Sequence, residues 1–239
     1  DSPGLDRAGV LAYFAMRELS SIMRLKRIIF PAVVALAALS AGAEPIRVAC
    51  VGDSITFGAG IGNRGYHAYP SVLQRLLGEG WEVRNFGLSG RCLQREVQRS
   101  YWNEQAYRDA LDFQAEWVVV MLGSNDAKVP RWKDAERFIA DYHAFLDSFR
   151  EANPDVRFII LVPTPLNGPQ PSGHDAEILN EGVMPSVRAV AESRNLRLLD
   201  LTDRFAGNPS LFADFIHPNA AGALEIAVEV YRVISGIDP

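Results

Sequence analysis

Residues 117–122 read Trp117-Val-Val-Val-Met-Leu122, and residues 158–162 read Phe158-Ile-Ile-Leu-Val162. Both are short, nearly continuous apolar runs, which is typical of strands buried on both faces of a parallel sheet. Three further runs resemble them, so the predicted strands are Ile46–Val51, Trp81–Phe86, Trp117–Leu122, Arg157–Val162 and Leu196–Leu201. Segments of helical period separate or follow these runs, and the predicted helices are Tyr69–Leu77, Tyr101–Phe113, Lys133–Ala152, Ala176–Arg194 and Ala220–Ser235.

The alternation of strands and helices predicts the fold class. Strand–helix–strand units connect by right-handed crossovers, which place helices on both faces of a parallel sheet. The chain has 239 residues, of which 48% are hydrophobic, enough for one sizeable core but not for two full domains. We therefore expect a single three-layer α/β/α domain with a five-stranded parallel sheet, spanning residues 44–239.

The N-terminal region predicts export. A short basic stretch, Met23-Arg-Leu-Lys-Arg27, precedes the apolar residues 28–39, and Ala41-Gly42-Ala43 supplies small residues for cleavage. This order is that of a secretory signal peptide, predicted here as residues 23–43. The apolar part is too short to span a bilayer, which needs roughly 20 residues. We expect a secreted or periplasmic protein with no stable membrane insertion after cleavage, and we interpret residues 1–22 as a non-native or misassigned extension.

Four polar segments fall at the ends of the predicted elements. The first three strands are followed by Gly52-Asp53-Ser54, by Leu88-Ser89-Gly90 and by Gly123-Ser124-Asn125-Asp126, and Asp214-Phe-Ile-His217 precedes the last helix. Each segment alone is an ordinary turn or helix cap. Ligands of open α/β sheets bind beyond the carboxyl ends of the strands, so the four together predict one site.

The residue types in this site predict nucleophilic catalysis. A serine hydroxyl needs an adjacent base to take its proton, and Ser54 with His217 can supply that pair. Asp214 lies three residues before His217, where a turn can bring its carboxylate onto the imidazole. The backbone N–H groups of Ser54 and Gly90 and the side-chain amide of Asn125 can stabilise an oxyanion. The other histidines fit less well: His143 lies in a helical pattern, and His67 and His174 lie in loops that could line the cleft.

At these positions the sequence resembles the SGNH (GDSL-type) hydrolases, whose conserved blocks occur in the same order from Ile46 to the C-terminus. The resemblance implies a flavodoxin-like fold, Ser54 as nucleophile, Gly90 and Asn125 as oxyanion donors, and Asp214 with His217 as the remaining catalytic pair. Within the family, residues 48–54 and 123–128 look most like exported bacterial carbohydrate O-acetylesterases. Phe215 departs from the pattern, because many members carry glycine there, and it could narrow that wall of the site.

The expected substrate is a small-molecule or glycan ester, most simply an acetyl ester. Trp102 and Trp132 could stack on sugar rings or could merely pack in the fold, and the loops predicted to set specificity are residues 58–69, 91–104, 127–133 and 163–175. A lipase or lysophospholipase acting on longer acyl chains, or an acyltransferase, is the alternative. A net charge of −5 without a long basic run disfavours nucleic acid as a partner. No cofactor or metal is expected, and the oligomeric state stays open.

Three other classes of protein fit the sequence less well. An α/β-hydrolase would carry a Gly-x-Ser-x-Gly elbow, which does not occur. A metallophosphoesterase needs several His and Asp ligands converging on its metals, whereas one histidine is well placed. A binding protein with a decayed site is disfavoured because all the expected functional residues are present. Cys50 and Cys92 could form a disulfide in an exported protein or remain buried thiols.

Overall fold

The computed structural model describes residues 44–168 and 173–237. The predicted extension 1–22 and the predicted signal peptide 23–43 lie outside the described residues. The strands form one sheet in which every pairing is parallel, in the order β2-β1-β3-β4-β5. Their bounds are β1 Ile46–Gly52, β2 Trp81–Gly87, β3 Trp117–Met121, β4 Arg157–Leu161 and β5 Arg197–Leu199. The predicted five-stranded parallel sheet is thereby confirmed.

Helices connect and flank the strands. Their bounds are α1 Ser54–Phe57, α2 Arg64–His67, α3 Tyr69–Leu77, α4 Gln105–Asp112, α5 Ala135–Ala152, α6 Met184–Ser193, α7 Thr202–Phe205 and α8 Ala220–Ser235. The structure also has 3₁₀ turns at Tyr101–Asn103 and Pro209–Leu211 and a π-helical segment, Ile178–Val183, directly before α6. Helices α3 and α8 have the predicted bounds.

Single residues at their N-terminal ends explain where two other helices differ from the prediction. Asp134 accepts a hydrogen bond from the backbone N–H of Arg137 at 2.7 Å, so α5 begins after this cap rather than at Lys133. The predicted helix 101–113 is divided at Glu104, whose extended backbone (φ −94°, ψ 152°) separates a 3₁₀ turn from α4. Both differences lie at element ends, where single residues decide the boundary.

The two faces of the sheet bury separate cores. Residues alternate along β1, so that Ala49 and Val51 belong to one core and Val48 and Cys50 to the other. Helices α4, α5 and α6 cover the first core, and α3 and α8 cover the second. This is the predicted three-layer α/β/α arrangement.

The two cysteines are free thiols in the structure. Cys50 is buried in the core beneath α3, and the Cys92 sulfur lies 3.6 Å from Nη1 of Arg131. Within residues 44–168 and 173–237, no helix is long and apolar enough to cross a membrane.

Two glycines let α1 lie directly against the carboxyl edge of the sheet. Gly52 and Gly87 end β1 and β2 and stand opposite each other in register. A Cβ atom on Gly52 would lie 2.1 Å from Oγ1 of Thr56 and 2.6 Å from the carbonyl oxygen of Met121. A Cβ atom on Gly87 would lie 2.3 Å from the backbone nitrogen of Phe57. The absence of both side chains therefore sets how closely the turn carrying Ser54 approaches the strands.

Gly52→Ala is expected to destabilise the protein. Its methyl group would meet both a side chain and the β3 backbone, and overpacking of this kind costs about 1–3 kcal/mol. The free energy of unfolding, measured by urea denaturation, gives the effect. Gly62→Ala is the matched control, because a Cβ atom there has no neighbour within 4 Å, and we expect a change within about 0.5 kcal/mol. Equal stability of the two variants would contradict the close approach.

Candidate active site

Ser54 lies at the first position of α1, at the carboxyl end of β1. Asp53 precedes it and caps the helix, since its Oδ1 accepts a hydrogen bond from the backbone N–H of Ile55 at 2.9 Å. The side chain of Asp53 is fully buried, and Ser54 is 8% exposed. The cap thus fixes the turn on which the Ser54 hydroxyl is presented.

A chain of two hydrogen bonds joins Ser54, His217 and Asp214. The hydroxyl oxygen of Ser54 lies 2.9 Å from Nε2 of His217. On the other side of the ring, Nδ1 of His217 lies 2.7 Å from Oδ2 of Asp214. With the ring proton on Nδ1, His217 donates to the carboxylate and accepts from the serine, which is the arrangement that lets an imidazole act as a base.

The turn that holds Asp214 and His217 is itself closed by hydrogen bonds. Oδ1 of Asp214 accepts from the backbone N–H groups of Ile216 and His217, both at 2.7 Å, and the N–H of Ala213 donates to the carbonyl of His217 at 2.8 Å. Partial burial by itself raises the pKa of Asp214. The hydrogen bonds from the His217 ring and from these two N–H groups outweigh burial and hold the pKa below its usual range. Asp214 is therefore kept as a carboxylate facing the imidazole.

Asn125 is connected to the serine turn through Asp53. Its side-chain nitrogen donates to Oδ2 of Asp53 at 3.2 Å, within the protein interior. Burial raises the pKa of Asp53, against the lowering effects of the Ile55 N–H and the Asn125 amide. An amide nitrogen carries two hydrogens, so Asn125 retains one donor for another acceptor.

A second buried carboxylate fixes the loop after β2. Asp126 follows Asn125, and its two oxygens accept hydrogen bonds from the backbone N–H groups of Leu93 and Gln94, each at 2.9 Å. Burial raises the pKa of Asp126 to about 7, although these two N–H groups lower it. The loop that carries Gly90 is consequently tied to the end of β3.

Gly90 lies in that loop, three residues beyond the end of β2. The N–H of Leu88 donates to the carbonyl of Gly52 at 2.9 Å, which keeps the start of the loop beside the serine turn. Gly90 has φ +81°, a left-handed conformation that favours glycine. The structure thus brings Ser54, Gly90 and Asn125 to one edge of the sheet, as the sequence predicts.

The three aromatic residues singled out from the sequence have different surroundings. Trp102 donates its indole N–H to the carbonyl of Leu93 at 2.8 Å and packs against aromatic rings of the core beneath α5. We therefore leave it out of the proposed substrate contacts. Trp132 packs against Gly182 of the π-helical segment and lines an open groove of about 460 Å³. Phe215 is 43% exposed.

Phe215, two residues before His217, packs against the loop after β4. A Cβ atom on Gly168 would lie 2.9 Å from Cδ1 of Phe215, and the N–H of Asn167 donates to the Phe215 carbonyl at 2.8 Å. These contacts connect the turn of the Asp–His pair with the loop after β4. Part of that loop, residues 169–172, lies outside the described residues.

The remaining histidines make contacts elsewhere in the fold. His143, on α5, accepts from Nε of Arg194 at 2.7 Å, and the ring of His67 lies edge-on to Tyr66. His174 pairs with Lys128 across an antiparallel bridge, and its pKa is lowered to about 4, first by burial and then by the charge of Lys128. Among the described residues, no group of three or more His, Cys, Asp or Glu side chains is arranged to hold a metal ion.

Sequence reasoning missed the structural roles of two carboxylates. The position of Asp53 directly before a short helix is a recognisable cap signal, but its bond to Asn125 spans 72 positions. The partners of Asp126 lie 33 and 32 positions away, and no local pattern marks them.

Comparison with known proteins agrees with this architecture. A carbohydrate acetylesterase from Sinorhizobium meliloti superimposes with a TM-score of 0.63 at 16% identity, covering 80% of this chain and 99% of the other. The inhibitor-bound aryl esterase of M. smegmatis superimposes with a TM-score of 0.61 at 18% identity, covering 81% and 99%. At these identities the likeness establishes the fold alone, which is that of the SGNH hydrolases.

The sequence comparisons identify the family to which this chain belongs. The chain belongs to the GDSL-like lipase/acylhydrolase family, whose model matches residues 50–224. It is also 33% identical over 202 residues to an acetylxylan esterase from Xylanibacter ruminicola. That alignment covers 77% of this chain but 42% of the relative, so the chain spans less than half of the relative's length. The family resemblance inferred from the sequence is confirmed.

Proposed function

We propose that this protein is a serine esterase that hydrolyses short-chain esters, in particular acetyl esters of carbohydrates, through an acyl-enzyme on Ser54. The observation that carries the proposal is the hydrogen-bonded chain from the Ser54 hydroxyl through His217 to Asp214, at 2.9 and 2.7 Å. Both distances lie within the range that proton transfer to a positioned base requires.

Acylation begins with attack of the Ser54 oxygen on the ester carbonyl carbon. His217 accepts the hydroxyl proton on Nε2 as the new bond forms, and Asp214 stabilises the resulting imidazolium. When the tetrahedral intermediate collapses, the bond to the alcohol oxygen breaks and His217 returns its proton to that oxygen. The alcohol then leaves, and the acyl group remains on Ser54.

The negative charge on the carbonyl oxygen requires donors already in position. We assign this role to the backbone N–H groups of Ser54 and Gly90 and to the free amide hydrogen of Asn125. The hydrogen bonds that Asp53 and Asp126 make hold the loops of these donors in place. Donors fixed in this way do not have to reorganise as the charge develops.

Deacylation repeats the same steps with water as the nucleophile. His217 takes a proton from water as it attacks the acyl carbon, and then protonates the Ser54 oxygen as the acid leaves. An alcohol in place of water would make the protein an acyltransferase. Product analysis in the presence of a carbohydrate acceptor distinguishes the two activities.

Two observations and one prediction from the sequence support a short acyl group on a carbohydrate. Phe215 lies two residues before His217 and packs onto Gly168, and we assign it the role of limiting the length of an acyl chain. The acetylxylan esterase relative acts, by its name, on an acetylated glycan. The predicted signal peptide, residues 23–43, would deliver the protein to the periplasm or the medium, where acetylated glycans occur.

Ser54 is expected to be the site of covalent reaction. A serine-reactive phosphonate should modify the protein once, and peptide mapping should locate the adduct on Ser54. Ser54→Ala should lose nearly all turnover of p-nitrophenyl acetate while keeping its circular dichroism spectrum. Ser71→Ala is the matched control, since this hydroxyl lies on the surface helix α3 and bonds weakly to the Arg64 carbonyl at 3.4 Å. Labelling at another residue, or undiminished turnover in Ser54→Ala, refutes the assignment.

Asn125→Ala is expected to lower kcat more than it raises KM. The amide should matter most once negative charge has developed on the oxygen, and removal of one such donor costs roughly 10²–10³ in kcat. Because Asn125 also bonds to Asp53, thermal unfolding should be measured in parallel to separate a loss of fold from a loss of donor. A change confined to KM would mean that Asn125 binds only the ground state of the substrate.

The acyl preference is expected to fall from acetate to octanoate. Each buried methylene contributes about 0.8 kcal/mol where a pocket accepts it, so an open groove would raise kcat/KM steadily along a series of p-nitrophenyl esters. A wall at Phe215 should give a maximum at acetate or propionate, and Phe215→Ala should move it towards longer chains. Leu224→Ala, an exposed position on α8, serves as the control. A wild-type preference for octanoate would replace the acetylesterase proposal by that of a lipase.

A further inference from the structure

Three cations gather beside the proposed oxyanion donors. Nη1 of Arg131 lies 3.4 Å from the carbonyl oxygen of Gly90. A Cβ atom on Gly90 would lie 3.3 Å from Nη1 of Arg99, so this guanidinium group lies over the glycine. Lys128 is the third residue after Asn125. We call Arg99, Lys128 and Arg131 the basic cluster.

The charges of the basic cluster act on one another and on His174. Burial lowers the pKa of Lys128, and the charges of Arg131 and Arg99 lower it further. The pKa of His174 is lowered first by burial and then by the charges of Lys128 and His217. The basic cluster therefore places positive charge beside Gly90, one of the proposed oxyanion donors.

The basic cluster lacks a compensating carboxylate. Among residues 44–168 and 173–237, the structure gives its members no acidic oxygen within 4.0 Å. Arg91, on the same loop as Arg99, contrasts with this because it pairs with Glu104 at 2.8 Å. The nearby acids, Asp53 and Asp126, are fully buried and are engaged with neighbouring N–H groups.

Composition does not explain the cluster. The chain has a net charge of −5, and like charges held close together repel one another.

The backbone of Arg99 also adopts φ +65°, a left-handed conformation that residues other than glycine and asparagine rarely take. Its carbonyl accepts the N–H of Cys92 at 3.0 Å, which fixes this conformation. Unusual backbone of this kind concentrates at ligand-binding positions.

We propose that the ester hydrolysed at Ser54 carries a carboxylate on its alcohol part, as an acidic sugar does, and that Arg99 and Arg131 bind this carboxylate. The inference rests on the proposed esterase function and adds to it the charge of the substrate. Guanidinium groups suit the task because they stay protonated and present paired N–H donors to a carboxylate. Lys128 strengthens the field that attracts the anion.

The test compares two substrates that differ in one group. An O-acetylated methyl glucuronide and the corresponding O-acetylated methyl glucoside have the same ring and ester but carry a carboxylate or a hydroxymethyl group at C6. At low ionic strength we expect kcat/KM to favour the glucuronide by about tenfold, the ratio that about 1.4 kcal/mol produces. The ratio should shrink as salt is added, because salt screens exposed charges.

Substitutions of Arg99 and Arg131 test whether these residues cause the preference for the glucuronide. Arg131→Gln and Arg99→Gln should each bring the ratio towards one, and the ratio cancels any general loss of active protein. Arg131→Lys should keep part of the preference, since it retains the charge but not the paired donors. The matched control is Arg150→Gln, an exposed arginine near the end of α5, which should leave the ratio unchanged.

Four outcomes would overturn the inference. In the first, the wild-type ratio stays near one at every salt concentration while Ser54 is still required, and the proposed function survives. In the second, the glucuronide preference persists in both Arg→Gln variants. In the third, a half-ester of adipic acid is preferred over a hexanoate ester while the two sugars are not distinguished, which assigns the carboxylate to the acyl part. In the fourth, no ester is hydrolysed, or hydrolysis persists in Ser54→Ala, and the proposed function fails with the inference.

Discussion

A buried carboxylate must keep its hydrogen bonds, and this requirement organises the edge of the sheet. Asp53 is fully buried and holds both the first turn of α1 and the amide of Asn125. Asp126 is buried as well and holds two backbone N–H groups of the loop after β2. Moving any of these loops would leave an acceptor unpaired in the interior, which costs about 1–3 kcal/mol or more for a charged group. The ends of β1, β2 and β3 are thereby fixed relative to one another.

The sequence predicts the sheet well because strands buried on both faces leave an unambiguous apolar pattern. The bounds of α3 and α8 are also correct, since each has a clear periodic face. Local interactions that leave no periodic pattern set the other helix boundaries. The Asp134 cap sets the start of α5, and the π-helical segment before α6 accompanies close packing of Trp132 on Gly182. The sequence predicted the residues that the structure brings together at Ser54, but not the long-range hydrogen bonds that hold them there.

The loops around the site combine two kinds of surface. One is apolar: Phe215, two residues before His217, packs against Gly168. The other is positively charged: the guanidinium groups of Arg99 and Arg131 lie beside Gly90. Neither surface could be assigned from periodicity, because loop positions carry no repeating pattern. The sequence singled out Phe215 from its place beside His217, whereas Arg99 and Arg131 became informative only when the fold placed them beside Gly90.

The hydrogen bond between the side chains of Ser54 and His217 joins positions 163 residues apart. Almost the whole domain must therefore be synthesised before the two side chains can meet, and contacts of this sequence separation form late in folding. Ser54 lies near the start of the domain and stays without His217 while the chain is still growing. On the proposed function, a nascent chain is therefore hydrolytically silent until the segment that carries His217 has been made and has folded against Ser54.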